Sequence, residues 1–258
     1  GLVEKALVVK RGVRLDVNDA RRGAKVYSYA VGEEADFYAD NVLVGDGKIV
    51  FDFHRSGGVV RGIRLGVPAW VNIENSVAAM AYLVGANDDE LRKGVESYAG
   101  VYRRFNLHVN TPEVVYVDDY AHHPEELKAS IESVRRLYEG RYVIGVFQPH
   151  LYSRTRDLVD GFAEVLSCLD EVVLLPIYPA RELPIEGVTS DWLLEKVNVE
   201  EGKRKLVVQK NELVGYLRKR VDELQEMGNA CVVMTMGAGD IDRLVNTITK
   251  TLMCEKNG

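Results

Sequence analysis

Five short apolar runs alternate with helical patterns in the second part of the sequence, and this alternation restricts the fold more than any other feature. The runs are residues 114–117, 142–147, 171–177, 205–208 and 231–235. Short runs rich in β-branched and aromatic residues are typical of strands that are buried on both faces. Strands that alternate with helices in this way form a parallel sheet with helices on both sides. We therefore predict an α/β, doubly wound, Rossmann-like domain.

The segments between these runs have the apolar spacing of helices. Leu213, Leu217, Val221 and Leu224 form the clearest such stripe. The predicted helices are residues 124–138, 155–169, 189–197, 211–227 and 240–253.

The first hundred residues have a different pattern, in which short strands precede two helices. Strands are predicted at residues 5–10, 24–30, 36–44, 48–53 and 59–65. Asp46-Gly47 lies between the third and fourth strand and is a strong signal for a tight hairpin. Ile73, Val77, Met80 and Val84 then predict a helix that begins near residue 71, and a second helix is expected over residues 87–98.

Residues 100–110 separate the two patterns and are predicted to be the joint between two domains. We place the domains at residues 1–106 and 107–258. A chain of 258 residues is long enough for one large domain or two ordinary ones.

Composition excludes several classes of protein. The formal net charge of -6 argues against a dedicated nucleic-acid binder. No stretch has the roughly 18 apolar residues that a membrane span needs, and the start of the sequence lacks a signal-peptide layout. The three cysteines form no C-x-x-C pair, so no zinc or redox site is predicted and a reducing, cytoplasmic location is expected.

A doubly wound sheet binds its ligands beyond the carboxyl ends of the strands, so the loops at those ends are candidate sites. Residues 118–124 follow the first predicted strand and combine two carboxylates, one phenol and two imidazoles. Pro124 predicts that this loop leads into a helix N-terminus, which favours an anionic ligand. A plainer alternative is that Asp119 or His123 only caps the helix. The density of reactive groups favours a functional site.

The loops after the other strands are less specific. His150, Arg154 and Arg156 follow the second strand, next to the first loop if the two strands are neighbours. Arg154 is favoured as a ligand contact, because Arg156 can pair with Asp157 or Asp160 on a helix surface. Residues 178–184 form a proline-stiffened loop that is either a substrate wall or a plain surface loop. Gly237-Ala238-Gly239-Asp240 is weak as a nucleotide motif, since a tight turn and capping by Asp240 explain it.

Two further pairs of polar residues are candidates for ligand contacts, one pair in the first hundred residues and one just after them. Asn72 and Asn75 are three apart at the start of a helix, so their amides are expected to lie near one another. One alternative is that the pair hydrogen-bonds to the edge of a base. The other is that Asn72 is only a helix N-cap. Arg103 and Arg104 lie in the predicted joint, where we expect them either to pair across the interface between the domains or to face a polyanion in the cleft.

Taken together, these motifs closely resemble the Mur ligases of peptidoglycan synthesis. The resemblance covers essentially the whole chain and is carried by Asp-Asp-Tyr-Ala-His-His-Pro, Phe-Gln-Pro-His-x-Tyr-x-Arg-Thr, Ile-Tyr-x-Ala-x-Glu, Gly-Ala-Gly-Asp-Ile and Asn-x-x-Asn-x-x-Ala. Among these ligases it favours those that join L-alanine to UDP-N-acetylmuramate.

The resemblance implies a three-domain ligase of which this chain matches the later part of the central ATPase domain and the C-terminal domain. The sequence contains no G-x-x-x-x-G-K-[ST] loop to hold the phosphates of ATP. We therefore expect a fragment that is inactive by itself. The partners implied are UDP-N-acetylmuramate, L-alanine and ATP, with the Mg²⁺ ligands mostly outside this chain.

The resemblance also implies roles for individual residues. Arg104 and Asp119 resemble the nucleotide contacts and, with His122, are the implied catalytic residues. Asn72 and Asn75 resemble the asparagines on the adenine side. Tyr120, His150 and Arg154 resemble, together with His122, the wall that receives L-alanine. No metal ligand is implied within this chain.

One departure from the family pattern matters, and three alternatives remain. The family often has arginine where this sequence has Leu151, so carboxylate binding by that loop would depend on Arg154. A sister ligase that attaches a tripeptide to the same sugar shares much of the 118–124 motif. A nicotinamide-dependent oxidoreductase would depend on Gly237-Ala238-Gly239 alone, with too little chain after it for a βαβ unit. The third alternative is that the chain is a binding module without catalytic activity.

Overall fold

The computed structural model describes residues 6–14, 24–83 and 85–254, which fall into two compact units divided between Ala99 and Gly100. This division lies at the start of the predicted joint. The second half of that joint is a strand, Asn106–Asn110, so the boundary predicted between residues 106 and 107 falls inside a strand.

The first unit contains a five-stranded sheet in the order of the sequence. Its first three strands are parallel, and the last two are added antiparallel. The strands are β1 (Ala6–Lys10), β2 (Lys25–Val31), β3 (Phe37–Gly45), β4 (Lys48–Arg55) and β5 (Gly58–Arg64). All five predicted strands are therefore present, although Lys5, the first residue of the first predicted strand, lies outside the described residues.

The turn between β3 and β4 confirms the predicted hairpin. Asp46 and Gly47 have φ values of 50° and 68°, and Gly45 pairs directly with Lys48 across the turn. Two consecutive positive φ values match the twist of an antiparallel pair, and Asp-Gly adopts them at low cost.

Two helices, α1 (Trp70–Tyr82) and α2 (Asp88–Glu96), complete this unit as predicted. Ile73, Val77 and Met80 are buried, whereas Val84, the last residue of the predicted stripe, lies outside the described residues. Asn87 begins α2 with a capping box, because its side chain accepts from the Glu90 N–H and Glu90 reciprocates.

The second unit contains a six-stranded sheet in the order β10-β9-β8-β11-β7-β6. Its strands are β6 (Asn106–Asn110), β7 (Val114–Asp119), β8 (Tyr142–Phe147), β9 (Glu171–Leu174), β10 (Arg204–Val207) and β11 (Cys231–Met236). The five predicted strands are parallel to one another, and β6 is added antiparallel at one edge.

Helices cover both faces of this sheet, as expected for a doubly wound domain. Leu213, Leu217 and Ile248 share one buried cluster with Val146 of β8. The next residue, Phe147, points to the opposite face, where its ring centroid lies 5.2 Å from that of Phe162. The helices are α3 (Pro124–Leu137), α4 (Tyr152–Asp157), α5 (Val159–Leu166), α6 (Ser190–Lys196), α7 (Lys210–Glu226) and α8 (Val245–Met253).

Two helix predictions are corrected by the structure. The single helix predicted over residues 155–169 is two helices, α4 and α5, separated at Leu158, whose φ of -117° and ψ of 19° are not helical. The helix predicted over residues 240–253 begins as a 3-10 helix, Asp240–Leu244, before α8. None of the helices in the described part of the chain is long and apolar enough for a membrane span.

Candidate functional site

The candidate site lies where three parallel strands of the second unit end together. Met236, the last residue of β11, is in register with Asp119 of β7 on one side and with Phe147 of β8 on the other. β7 and β8 are therefore not neighbours, although the sequence-based prediction that their loops lie side by side assumed that they are. The loops after them still meet, because both extend past the end of β11.

The Gly237–Asp240 turn after β11 packs against Gln148, and Asp240 does not cap the following helix. The N-cap position belongs to Gly239, and the Asp240 carboxylate instead accepts from Gln148 Nε2 at 2.9 Å and from Lys210 Nζ. Gly237 has a φ of 138°, and a Cβ there would stand 2.6 Å from the Gln148 carbonyl O. These glycines let the turn lie directly against Gln148, which is itself buried.

The two aspartates at the end of β7 are held inside the protein. Asp119 accepts hydrogen bonds from the Ala121 N–H at 3.1 Å and from Ser130 Oγ. Burial raises its pKa above the usual value, and these hydrogen bonds only partly oppose that effect. Neither Asp119 nor His123 caps α3 with its side chain, although His123 occupies the N-cap position. The capping alternative is therefore wrong.

Asp118 belongs to a buried network that sequence reasoning missed. Its carboxylate accepts from Thr235 Oγ1 at 2.8 Å and from Arg103 Nε at 3.3 Å. Burial raises the pKa of Asp118, while Thr235 and Arg103 oppose that shift. Arg103 also donates to the Gly237 carbonyl at 2.6 Å, so one side chain joins the segment before β6 to the ends of β7 and β11.

Tyr120 lies beside both arginines of the predicted joint. The guanidinium carbons of Arg103 and Arg104 are 5.1 Å and 5.9 Å from the centre of its ring. Arg103 is buried, whereas Arg104 is exposed. Cations at this distance from an aromatic face stabilise its position, so Tyr120 is a fixed wall and Arg104 offers an accessible positive charge.

Four rings continue this wall across three loops. The ring centroids of Tyr120 and His122 are 5.3 Å apart, those of His122 and His150 are 6.3 Å apart, and those of His150 and Tyr178 are 5.7 Å apart. The Nδ1 of His122 lies 3.0 Å from the Tyr120 carbonyl oxygen. Because a carbonyl can only accept, Nδ1 carries a hydrogen, and the Glu126 carboxylate also lies 3.2 Å from this nitrogen.

Two buried polar atoms beside these rings, His150 Nδ1 and Arg154 Nη1, have no hydrogen-bond partner among the described residues. Burial lowers the pKa of His150, and the positive charge of Arg154 and the His122 imidazole lower it further. His150 is therefore neutral at pH 7. A buried guanidinium nitrogen without an acceptor is costly, so it marks a place where a ligand carboxylate would be stabilised.

Arg156, unlike Arg154, forms only a surface ion pair. It is exposed, and its Nε lies 2.8 Å from a carboxylate oxygen of Asp157. This confirms the surface pairing expected for it and separates it from Arg154.

Asn72 and Asn75 lie in the first unit. Asn75 Nδ2 donates to Asn72 Oδ1 at 3.2 Å, so the two amides are adjacent as expected. Asn72 Nδ2 donates to the Val67 carbonyl at 3.2 Å, and the N-cap of α1 is Ala69, so Asn72 is not a cap. The other predicted site residues all lie in the second unit.

The described residues offer no site for a metal ion, since no three His, Cys, Asp or Glu side chains among them are suitably grouped. Gln148 and Glu182 are structurally important residues that the sequence did not single out. Gln148 and Glu182 lie within the recognised motifs, which was the available signal, but their partners are far away in the chain.

Comparison with known proteins agrees with this architecture. A family model described as Mur ligase, glutamate ligase domain matches residues 103–239. The UDP-N-acetylmuramate--L-alanine ligase of Parabacteroides distasonis is 46% identical over 252 residues, covering 97% of this chain and 52% of the relative. The protein of the same name from Flavobacterium johnsoniae is 44% identical over 225 residues, covering 86% of this chain and 48% of the relative. The chain thus spans about half the length of these relatives.

Solved structures are similar in fold. The UDP-N-acetylmuramate-alanine ligase of Thermotoga maritima has a TM-score of 0.67 at 21% identity, over 88% of this chain and 47% of that chain. Folylpolyglutamate synthase of Mycobacterium tuberculosis, complexed with ADP, has a TM-score of 0.67 at 19% identity, over 88% of this chain and 49% of that chain. Because the family model matches more than half of its residues, the chain belongs to the Mur ligase family.

Proposed function

We propose that this chain is part of an ATP-dependent ligase that joins L-alanine to UDP-N-acetylmuramate in peptidoglycan synthesis. The observation that carries the proposal is the buried, unpartnered pair His150 Nδ1 and Arg154 Nη1 beside the aromatic wall. An amino acid presents a carboxylate, which this pair would bind. The identity to ligases of that name, over nearly the whole of this chain, supports L-alanine as the amino acid.

The reaction requires an activated acyl donor, because a carboxylate by itself has no adequate leaving group. Phosphorylation of the lactyl carboxylate gives an acyl phosphate, which the alanine amine attacks to form the amide while phosphate leaves. The amino acid arrives as an ammonium ion, which must lose a proton before its nitrogen can attack. His122 would accept that proton through its Nε2 atom.

The remaining residues would position the reactants rather than react. Arg154 and His150 would fix the amino-acid carboxylate and so direct the amine. Tyr120, held by the two arginines, would close one side of this space. In this assignment the catalytic role belongs to His122, with Arg104 and Asp119 on the nucleotide side.

The residues of this chain fit only part of ATP. Within the first unit, Asn72 and Asn75 offer amides to an adenine edge. Within the second unit, Arg104 offers an exposed positive charge to a ribose or a phosphate. Both oxygens of Asp119 already accept internal hydrogen bonds, so a ribose contact would share one of them. The sequence has no phosphate-binding loop, and the described residues do not fit Mg²⁺.

We also propose the cytoplasmic location that the sequence predicts. Cys168, Cys231 and Cys254 are all free, as expected for a reducing compartment.

A ligation assay on the full-length protein that carries this chain tests the proposal. With ATP and UDP-N-acetylmuramate, we expect release of phosphate and amide formation that depends on L-alanine. A tripeptide in place of L-alanine should give little product. Efficient use of the tripeptide would assign the sister activity instead, and no ligation with either would overturn the proposal.

A further inference from the structure

We propose that Glu182 is a positioning residue of this site, which holds the start of α4 so that His150 and Arg154 face the same ligand. The inference rests on the proposed function for the identity of the ligand. Glu182 lies in the loop after β9, whereas α4 follows β8, so the contact joins two separate loops.

The contact uses the whole carboxylate of Glu182. One oxygen accepts the Ser153 backbone N–H at 2.9 Å, and the other accepts the Ser153 hydroxyl. Backbone N–H groups in the first turn of a helix have no partner within the helix, so an external acceptor stabilises that turn. Arg154 is the next residue in the chain, and its direction therefore depends on this turn.

Backbone hydrogen bonds attach the same loop to the residues just before α4. The Leu151 N–H donates to the Tyr178 carbonyl at 2.9 Å, and the Tyr178 N–H donates to the Pro149 carbonyl at 2.8 Å. His150 and Tyr178 thus form a parallel bridge. This arrangement fixes His150 on one side of Leu151 while Glu182 fixes Ser153 on the other.

Leu151 itself needs such support. Its φ of 70° and ψ of 132° lie in a region that leucine rarely adopts, and the conformation costs roughly 1–3 kcal/mol where it occurs. Such strain persists only when the surroundings hold it. Loss of the Glu182 contact would let the chain around Leu151 relax, and His150 and Arg154 would separate from their present arrangement.

The charge of Glu182 also acts on His150. The hydrogen bonds from Ser153 hold the pKa of Glu182 below its usual range, so it is ionised at neutral pH. The titratable and charged groups that face His150 are Arg154, His122 and Glu182, and its ring stacks on Tyr178. Among the three charged or titratable neighbours, only Glu182 opposes the lowering of the His150 pKa, so its removal should lower that pKa further.

The test compares Glu182→Ala, Glu182→Gln and Ser153→Ala in the full-length protein. We expect Glu182→Ala to raise the KM for L-alanine by about tenfold, as for the loss of a hydrogen bond to a charged group, with the KM for ATP changed less than about twofold. Ser153→Ala should act in the same direction. The double variant should have the same KM for L-alanine as Glu182→Ala. Ser153→Ala removes only the hydroxyl hydrogen bond, which Glu182→Ala already removes. Glu186→Gln, an exposed carboxylate in the same loop, is the matched control and should change nothing.

A second readout separates positioning from a general loss of stability. The His150 resonances of the 258-residue chain, titrated by NMR, should show a lower pKa in Glu182→Gln than in the unsubstituted chain. This titration needs no ligase activity, so it still tests the contact if the proposed function fails. An unchanged KM for L-alanine in folded Glu182→Ala, additive effects of the two substitutions, or an unchanged His150 titration would each overturn the inference.

Discussion

Arg103 and Arg104 are adjacent in the chain and chemically identical, yet their surroundings differ. Arg103 is buried and ion-paired with Asp118, whereas Arg104 is exposed above the Tyr120 ring. Arg103 has a φ of 59°, and this turn of the backbone directs its side chain inward. The sequence marked the pair as ambiguous because a turn of this kind leaves no signal in a short Arg-Arg pattern.

Loss of the buried arginine should therefore be far more costly than loss of the exposed one. Arg103→Met leaves the Asp118 charge buried without its cation, which typically costs about 3–5 kcal/mol of the free energy of unfolding. Arg104→Met should cost less than about 1 kcal/mol. Urea denaturation of both variants measures the difference. Equal losses would contradict the buried pair.

Asp119 should make stability depend on pH in a particular direction. Because burial raises its pKa in the folded protein above the ordinary value of 3.8, the unfolded chain releases this proton first as the pH rises. The contribution of Asp119 is therefore fully present below pH 3.8 and is lost as the pH rises through the folded pKa. The free energy of unfolding, measured relative to Asp119→Asn, should fall over that range. A relative stability that rises with pH would contradict this sign.

At the scale of elements, the strands of the second unit that are easiest to predict are those with uniformly apolar sequences. β7, β8, β9 and β11 are buried on both faces, which requires continuous apolar runs that are easy to identify. β6 was missed because it is an edge strand in which Asn106, His108 and Asn110 alternate with apolar residues. The break between α4 and α5 was missed because Leu158 and its immediate neighbours, Asp157 and Val159, give no glycine or proline signal.

The order of the strands could not be predicted either. β11 lies between β7 and β8, and this insertion depends on which connection crosses the sheet rather than on any local pattern. The loops after β7, β8 and β9 were nevertheless predicted to lie at one edge of the sheet, and the rings of His122, His150 and Tyr178 are adjacent there. In a parallel sheet all carboxyl ends lie at one edge, whatever the order of the strands.

The contact between the Gly237 turn and Gln148 gives a prediction at this scale. Gly237→Ala would bring a Cβ to 2.6 Å from the Gln148 carbonyl O, in a conformation that alanine rarely adopts. We expect a loss of more than about 2 kcal/mol in the free energy of unfolding. Gly202→Ala is the matched control, because Gly202 also has a positive φ, of 89°, but nothing lies within 4 Å of its would-be Cβ. A similar loss at both positions would show that backbone strain alone accounts for the effect.

At the scale of the whole molecule, the groups that this chain includes and lacks determine which parts of ATP and of the amino acid it can bind. Its 258 residues include candidate contacts for adenine and for an amino acid but no loop for ATP phosphates. We therefore expect calorimetry of this chain with ATP to detect weak binding or none. Micromolar affinity would show that phosphate contacts exist elsewhere in the chain.

The central claim is that Arg154 and His150 bind the carboxylate of the incoming amino acid, and one comparison tests it most directly. The L-alanine and ATP dependence of ligation is measured for Arg154→Ala and Arg156→Ala in the full-length protein. Arg154→Ala should weaken the use of L-alanine by about 2–4 kcal/mol in kcat/KM, because a desolvated carboxylate loses its cation. The KM for ATP should change little, and Arg156→Ala, which removes only an exposed pair with Asp157, should resemble the unsubstituted protein. Equal damage from both substitutions, or damage confined to ATP, would contradict the account.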